Sequence, residues 1–229
     1  MTNLKQKIEW KISPNLTDYA FAVEFMEQKV KDIWENKSSE MIWLVEHPPI
    51  YTAGISARDS DLLTDKIPVY KTNRGGKHTY HGPGMRIIYV MLDLKKCFAP
   101  QNPDISEFVK MLENWIINVL AEIGVKGEIR KDRVGIWVDD NNATGNKLEN
   151  KIGAIGIKIR KWISYHGIAI NINPDLANFQ GIVPCGISEF GITSLATLNK
   201  TTNFDKIDQL LEIEFYKIFK NYSSHVRTN

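Results

Sequence analysis

Residues 151–172 read KIGAIGIKIRKWISYHGIAINI. Two apolar runs, Lys151 to Ile159 and Trp162 to Ile172, meet near Arg160-Lys161, a pattern that predicts two paired strands. Gly153 and Gly156 thin the first run, and glycine inside a strand often marks the close approach of another backbone or of a ligand. His166-Gly167 leaves a polar, empty break in the second run. Upstream, Met41 to Val45, Ile50 to Thr52, Pro68 to Lys71, Ile87 to Leu92 and Val134 to Val138 read as further strands, and the polar stretch Asp139 to Asn150 as a hairpin loop. Apolar residues at three- and four-residue steps predict helices over 15–36, capped by Asn15 or Thr17, over 104–123, ended by Gly124, and over 204–221. Strands grouped between helices predict an α+β fold, a mixed β-sheet flanked by helices. No repeat, low-complexity tract or linker interrupts residues 1–229, so one domain is expected.

Hydrophobic residues at 43% and charged residues at 24% exclude a disordered or fibrous chain. A net charge of +2 lacks the basic excess of a dedicated nucleic-acid binder. Two cysteines, Cys97 and Cys185, are too few for a disulfide framework or a structural zinc site. The start has no signal-peptide core, and no run of about 18 apolar residues spans a membrane. A cytoplasmic location with free thiols is the expectation.

Four segments carry chemistry. Arg74-Gly75-Gly76-Lys77-His78-Thr79-Tyr80-His81-Gly82-Pro83-Gly84 has the glycines to admit a ligand close to the backbone, and lacks the spacing of a P-loop. It reads equally as a tight structural loop. Cys185, between Pro184 and Gly186, sits in a turn, where a thiol is either reactive or merely exposed. Lys151 opens a core-like strand and is either solvated or desolvated beside a thiol, whose pKa an ammonium would lower. His166 is either a hydrogen-bonded strand histidine or a partner for Cys185. Cys97, after Lys95-Lys96 at a strand end, reads as an ordinary thiol.

Together these segments resemble the octanoyltransferases of lipoate biosynthesis. Arg74-Gly-Gly…Thr79-Tyr-His-Gly-Pro-Gly84, Lys151-Ile-Gly-Ala-Ile-Gly156, His166-Gly-Ile-Ala-Ile-Asn171, Pro184-Cys185-Gly186 and Ile192-Thr-Ser-Leu195 occur in the family's order, over about residues 20–215. The resemblance implies the catalytic-domain fold of biotin and lipoate protein ligases. It implies transfer of an octanoyl group from octanoyl-acyl carrier protein to a lysine of lipoyl domains, in 2-oxoacid dehydrogenase complexes and the glycine cleavage H protein. Cys185 would form the acyl-thioester and Lys151 would lower its pKa and shuttle protons. Arg74, Gly75, Gly76, Lys77, His78, Thr79, Tyr80 and His81 would line the acyl pocket. So would Ala154, Ile155 and Gly156, with Gly167, Ile168 and Ala169. No cofactor, metal, nucleic acid or membrane is implied. Lys77 and His78 depart from the family's frequent residues, and Ala154 replaces a frequent serine.

Thioester exchange is nearly thermoneutral and amide formation is downhill, so a cysteine relay needs no ATP. Main-chain N–H groups of Cys185 or of the glycine-rich loop are candidate oxyanion donors. Lys158, Arg160 and Lys161 read as a docking patch for acidic partners or as a solvated hairpin. An ATP-dependent lipoate or biotin ligase and a non-catalytic acyl or carrier-protein binder are the competing readings.

Overall fold

The computed structural model describes residues 8–141, 147–183 and 190–222. The chain enters on β1 (Ile8–Leu16), crosses through α1 (Tyr19–Trp34) and returns on β2 (Glu40–Glu46), parallel to β1. A small sheet of β4 (Val69–Lys71), β3 (Ile50–Ala53) and β5 (His78–His81) follows. Next come β6 (Met85–Met91), the short α2 (Leu94–Phe98) and α3 (Ile105–Glu122). The chain continues with β7 (Glu128–Arg130), β8 (Arg133–Asn141), β9 (Lys147–Arg160) and β10 (Ile163–Asn171). Finally β11 (Gly191–Ile192) and α4 (Phe204–Ile218) close the described fold. Among the described residues the main sheet runs β1-β2-β6-β10-β9-β8-β7, with β11 beside β9. Pairing is parallel at β1/β2 and β11/β9 and antiparallel elsewhere, so the sheet is mixed as expected.

The helices divide between the two faces. Phe108, Leu112, Trp115 and Val119 of α3 meet Ile207, Leu211 and Phe215 of α4 over Ile88, Val90, Ile168 and Ile170 of the sheet. The Trp115 indole N–H donates to Leu211 O at 2.9 Å, so the largest core ring leaves no polar group unpaired. On the opposite face Ala22, Met26, Val30 and Ile33 of α1 cover Trp43, Tyr89 and Tyr165. Every residue of β10 is buried, as a central strand with helices on both sides must be.

Several boundaries differ from the sequence reading. The first helix starts at Tyr19 because residues 8–16 form β1, an edge strand that tolerates Pro14. Its cap is Asp18, which accepts from Phe21 N at 2.9 Å, and not Asn15 or Thr17. Of the hairpin loop expected over 139–150, residues 139–141 belong to β8 and 147–150 to β9, and residues 142–146 lie outside the described residues. The glycine-rich segment, read as a loop, contains β5. Cys97 lies on α2 and not at a strand end, and burial pushes its thiol up to about 12, which makes it inert. The last helix stops at Ile218, and the tail 223–229 lies outside the described residues.

One ion pair ties α4 to the sheet. Arg86 on β6 donates twice to Asp208, each bond at 2.9 Å, with both side chains buried. Burial outweighs the arginine's pull and raises the Asp208 carboxyl to about 6. Arg86→Met leaves that carboxylate buried without its partner and is expected to cost about 3 kcal/mol or more. A lower urea midpoint at constant m-value is the readout; an unshifted midpoint would mean that the pair contributes nothing net.

Candidate functional site

On the face of the sheet that carries α1, a cavity of about 340 Å³ opens over β6, β10 and β9. Strand register arranges its wall as three rungs. Met85 pairs with Asn171 in the first. Ile87, Ala169 and Ala154 make the second, and Tyr89, Gly167 and Gly156 the third. All eight residues line the cavity. The space exists because β9 and β10 place only alanine and glycine on the second and third rungs.

Lys151 closes the first-rung end. Ile152 and Ile155, three residues apart, both pack toward α3 and α4, whereas strict alternation would put them on opposite faces. The register between β8 and β9 shifts there, with Ile136 opposite Gly153 but Trp137 opposite Lys151. That extra residue is a β-bulge, and it turns Lys151 to the same side as Ala154, into the cavity. The ammonium, on a side chain only 6% exposed, donates to Val134 O at 2.9 Å and lies 5.0 Å from the centroid of the Trp137 ring. Gly135 makes room for it. Its φ is +128°, and a Cβ there would fall 2.5 Å from Lys151 Cε. The Gly135 N–H donates to Glu113 Oε1 at 3.0 Å, so α3 anchors the start of β8 that houses the lysine. Burial raises the Glu113 carboxyl, while the Gly135 N–H and the Lys151 charge draw it down.

Arg74 braces the glycine-rich segment. Its guanidinium donates to Thr52 O at 2.7 Å, Lys77 O at 2.9 Å and Gly75 O at 2.8 Å, and also to Thr52 Oγ1. Gly75 N–H donates in turn to Ile157 O at 3.0 Å, which seats the segment on β9. The arginine therefore shapes the roof of the cavity with its side chain while still facing the space.

Three of the chain's five histidines, His47, His81 and His166, gather around Tyr89 at the third-rung end, all buried. His47 Nδ1 lies 2.5 Å from Thr17 O, which can only accept, so Nδ1 carries the proton and Nε2 accepts from Tyr89 O–H at 2.6 Å. The His81 ring stacks on His47 at 5.7 Å. His166 adopts φ +57° in the middle of β10, which turns its ring onto Tyr165 at 5.1 Å and so onto the cavity face. Gly167 follows by necessity, since a Cβ there would meet Ile88 O at 2.0 Å. Burial holds these imidazoles neutral: His47 falls to about 4, His166 to about 3, and His81 well below the ordinary range, with His47 and Arg74 adding to the effect at His81. Burial also lowers His78.

Of the residues singled out in the sequence, Lys151, Arg74, Gly76, Lys77, His78, Thr79 and His81 line this one cavity. Ala154, Ile155 and Gly156 line it too, with Gly167, Ile168 and Ala169. Gly75 and Tyr80 stand back from the wall. Strand alternation turns Tyr80 away between Thr79 and His81, into an aromatic contact with Tyr51 and Phe179. Cys185 lies outside the described residues. The chain resumes at Phe190, whose ring packs on Trp137, and Ile192 pairs with Lys151. Sequence reasoning passed over Tyr89 and Trp137, which lie within apolar strand runs, Glu113, which lies off the apolar stripe of its helix, and His47, which follows a strand end; Gly135 within VGIWV was an irregularity pointing there. Among the described residues no cluster of histidine, cysteine and carboxylates fits a metal ion, and no helix is long and apolar enough to cross a membrane.

Two outcomes follow from this geometry. Gly135→Ala forces a strained φ and pushes on Lys151, and is expected to cost about 1–3 kcal/mol in stability. A crystal structure should show the ammonium displaced from Val134 O; an unmoved lysine would contradict the packing argument. The neutral histidines also make stability depend on pH. The unfolded chain takes up protons below about 6.5 and the folded chain does not, so stability is full above that pH and falls as pH drops toward 4. By pH 5 each of His47 and His166 should contribute a loss of about 2 kcal/mol. His166→Asn, which tolerates the left-handed backbone, should flatten the slope of unfolding free energy against pH, and an unaltered slope would refute the assignment.

The lipoyl protein ligase A/B catalytic-domain model matches residues 18–216. An octanoyltransferase from Wolbachia sp. subsp. Brugia malayi is 50% identical over 212 residues, covering 93% of this chain and 100% of that one. The bipartite lipoate protein ligase of Thermoplasma acidophilum superposes with a TM-score of 0.67 at 12% identity, over 96% of this chain and 87% of that one. Biotin protein ligase from Aquifex aeolicus, solved with biotin and ATP, gives 0.53 at 13% identity, over 93% and 70%.

Proposed function

The chain belongs to the lipoyl protein ligase A/B catalytic-domain family, among its octanoyltransferases, and from that premise we propose that the octanoyl group passes through Cys185 with Lys151 as proton carrier. The transfer of octanoyl groups in protein lipoylation follows from the family; the route through these two residues is what is proposed here. The observation that carries it is a buried ammonium at one end of a cavity where β9 and β10 carry only alanine and glycine on the second and third rungs. An apolar chain fits the wall, and a carbonyl carbon at the Lys151 end meets a buried ammonium able to steady a thiolate.

In the first step Cys185 Sγ attacks the thioester carbonyl of octanoyl-acyl carrier protein. The new S–C bond forms, the donor's C–S bond breaks, and the donor thiol leaves with a proton delivered by Lys151. In the second step the lysine amine of a lipoyl domain attacks the same carbon. An amide C–N bond forms, Cys185 leaves as thiolate, and the proton lost by the amine reaches it through Lys151. Both tetrahedral intermediates need N–H donors. The Gly75 N–H is committed to Ile157 O, so the Cys185 N–H or another N–H of the glycine-rich loop would serve. Lipoyl domains of 2-oxoacid dehydrogenase complexes and the H protein are the acceptors, and the cytoplasm is the setting of the reaction.

Lys158, Arg160 and Lys161 sit at the other end of β9 from Lys151, about 25–30 Å of strand away. Lys158 rests over Tyr165 and Lys161 over Trp34. The placement favours a solvated turn over a docking patch that must deliver a thioester to Lys151.

Incubation with octanoyl-acyl carrier protein without ATP should leave a hydroxylamine-labile octanoyl adduct on Cys185, located by peptide mapping. Lys151→Ala should slow transfer about 10²–10⁴-fold. Lys151→Arg should recover little, since guanidinium keeps the charge but does not release its proton. Transfer that requires ATP and proceeds without the adduct would replace this reading with a ligase reaction.

A further inference from the structure

Asn171 stands on the first rung, at the Lys151 end of the cavity, and neither acyl attachment nor proton transfer uses it. We propose that the Asn171 side-chain oxygen receives the acceptor lysine: it accepts one N–H of the incoming amine and so aims the amine lone pair at the acyl carbon. The inference rests on the reading that an acyl-thioester forms on Cys185 beside Lys151.

Backbone bonds bring the two side chains to one place. Asn171 follows Ile170, the partner of Gly153, so it lies beside the bulge that carries Lys151. Alternation from Ala169 turns its side chain to the cavity face, the face to which the bulge turns Lys151. Thr193 joins them: its N–H donates to Lys151 O at 3.0 Å, and its carbonyl accepts from Asn171 Nδ2 at 2.9 Å. A carbonyl only accepts, so that bond fixes which end of the amide is nitrogen. Oδ1 points elsewhere. It takes no hydrogen bond from a described residue, and it is not sealed from solvent. The residue is only 5% exposed and lines the cavity, so the opening is the cavity itself.

An acceptor left open in a site from which substrate drives water calls for a donor. The thioester brings none at its reacting atoms, because carbonyl oxygen and sulfur only accept, and the octanoyl chain is apolar. The donor that reaches the acyl carbon is the amine of the second step. A neutral amine has two N–H bonds and one lone pair. With one N–H held on Oδ1, the lone pair faces the carbonyl carbon. The C–N bond forms, the cationic nitrogen loses its other proton to Lys151, which the first step left neutral, and the C–S bond breaks. The N–H on Oδ1 becomes the amide N–H of the product. An amide oxygen suits this task better than a carboxylate, since it accepts the hydrogen bond without holding the amine, or Lys151, in the charged form.

The test separates the two steps on the full chain, each followed by rapid quench and intact mass. Asn171→Leu keeps the bulk and removes the oxygen. Octanoyl-acyl carrier protein should still form the Cys185 adduct within about threefold of the parent rate, while transfer from that adduct to a lipoyl domain should slow about 10–100-fold. An equal loss in both steps would mean that Asn171 only braces Thr193, and a loss confined to adduct formation would mean that Oδ1 holds an N–H of the carrier's arm; either result overturns the proposal. Where Asn171→Leu forms no adduct at all, Asn171→Asp decides, because it keeps the shape and the oxygen. Its carboxylate favours the ammonium form of the amine, so the pH of half-maximal transfer should rise by about 1. An unshifted pH profile would also overturn the proposal. A parent chain that forms no Cys185 adduct would instead remove the underlying reading, and the proposal with it.

Discussion

A strand directs successive side chains to opposite faces, and the cavity depends on two places where that rule is interrupted. At Ile152 one extra residue in β9 carries Lys151 from the helix-packed side to the cavity side. At His166 a left-handed residue in β10 brings an imidazole to the face that alternation would have denied it. From the bulge onward β9 and β10 pair in unbroken register from Gly153 to Arg160, past His166, and the small residues between the two irregularities leave the space there. Without the bulge the lysine would point into the core around α3; without the left-handed turn the far end of the cavity would be apolar.

The two ends are electrostatically different, and the protein supports each from behind. Lys151 is buried but not isolated, since Val134 O, the Trp137 ring and the Glu113 carboxyl all face it or the start of β8 that holds it. In surroundings of low dielectric such contacts act more strongly than they would in water. At the other end the imidazoles stay neutral because burial and the nearby Arg74 charge both oppose protonation. The guanidinium is itself satisfied by three main-chain carbonyls, so it lends its field to the histidines while serving as a brace.

The sheet that supports this arrangement is shared with lipoate and biotin protein ligases at 12–13% identity, a likeness of fold alone. The octanoyltransferase relative at 50% identity shares much more of the chain itself.

From the residues themselves came the helix faces around Phe108 and Leu211, the β9–β10 pair, and the grouping of strands that predicts a mixed sheet, because those features are written in local periodicity. The glycine-rich segment and the breaks at Gly153 and His166-Gly167 were legible as unusual, since glycine and histidine interrupt an apolar run for a reason. The strand β1 was not, because Pro14 and the polar residues around it read as a helix approach until an edge position explains them. Nor could spacing tell which way Lys151 points, since one inserted residue reverses every direction beyond it. Tyr89, Glu113 and His47 carry no local mark; only register and helix packing, contacts between residues far apart in the chain, bring them to the cavity.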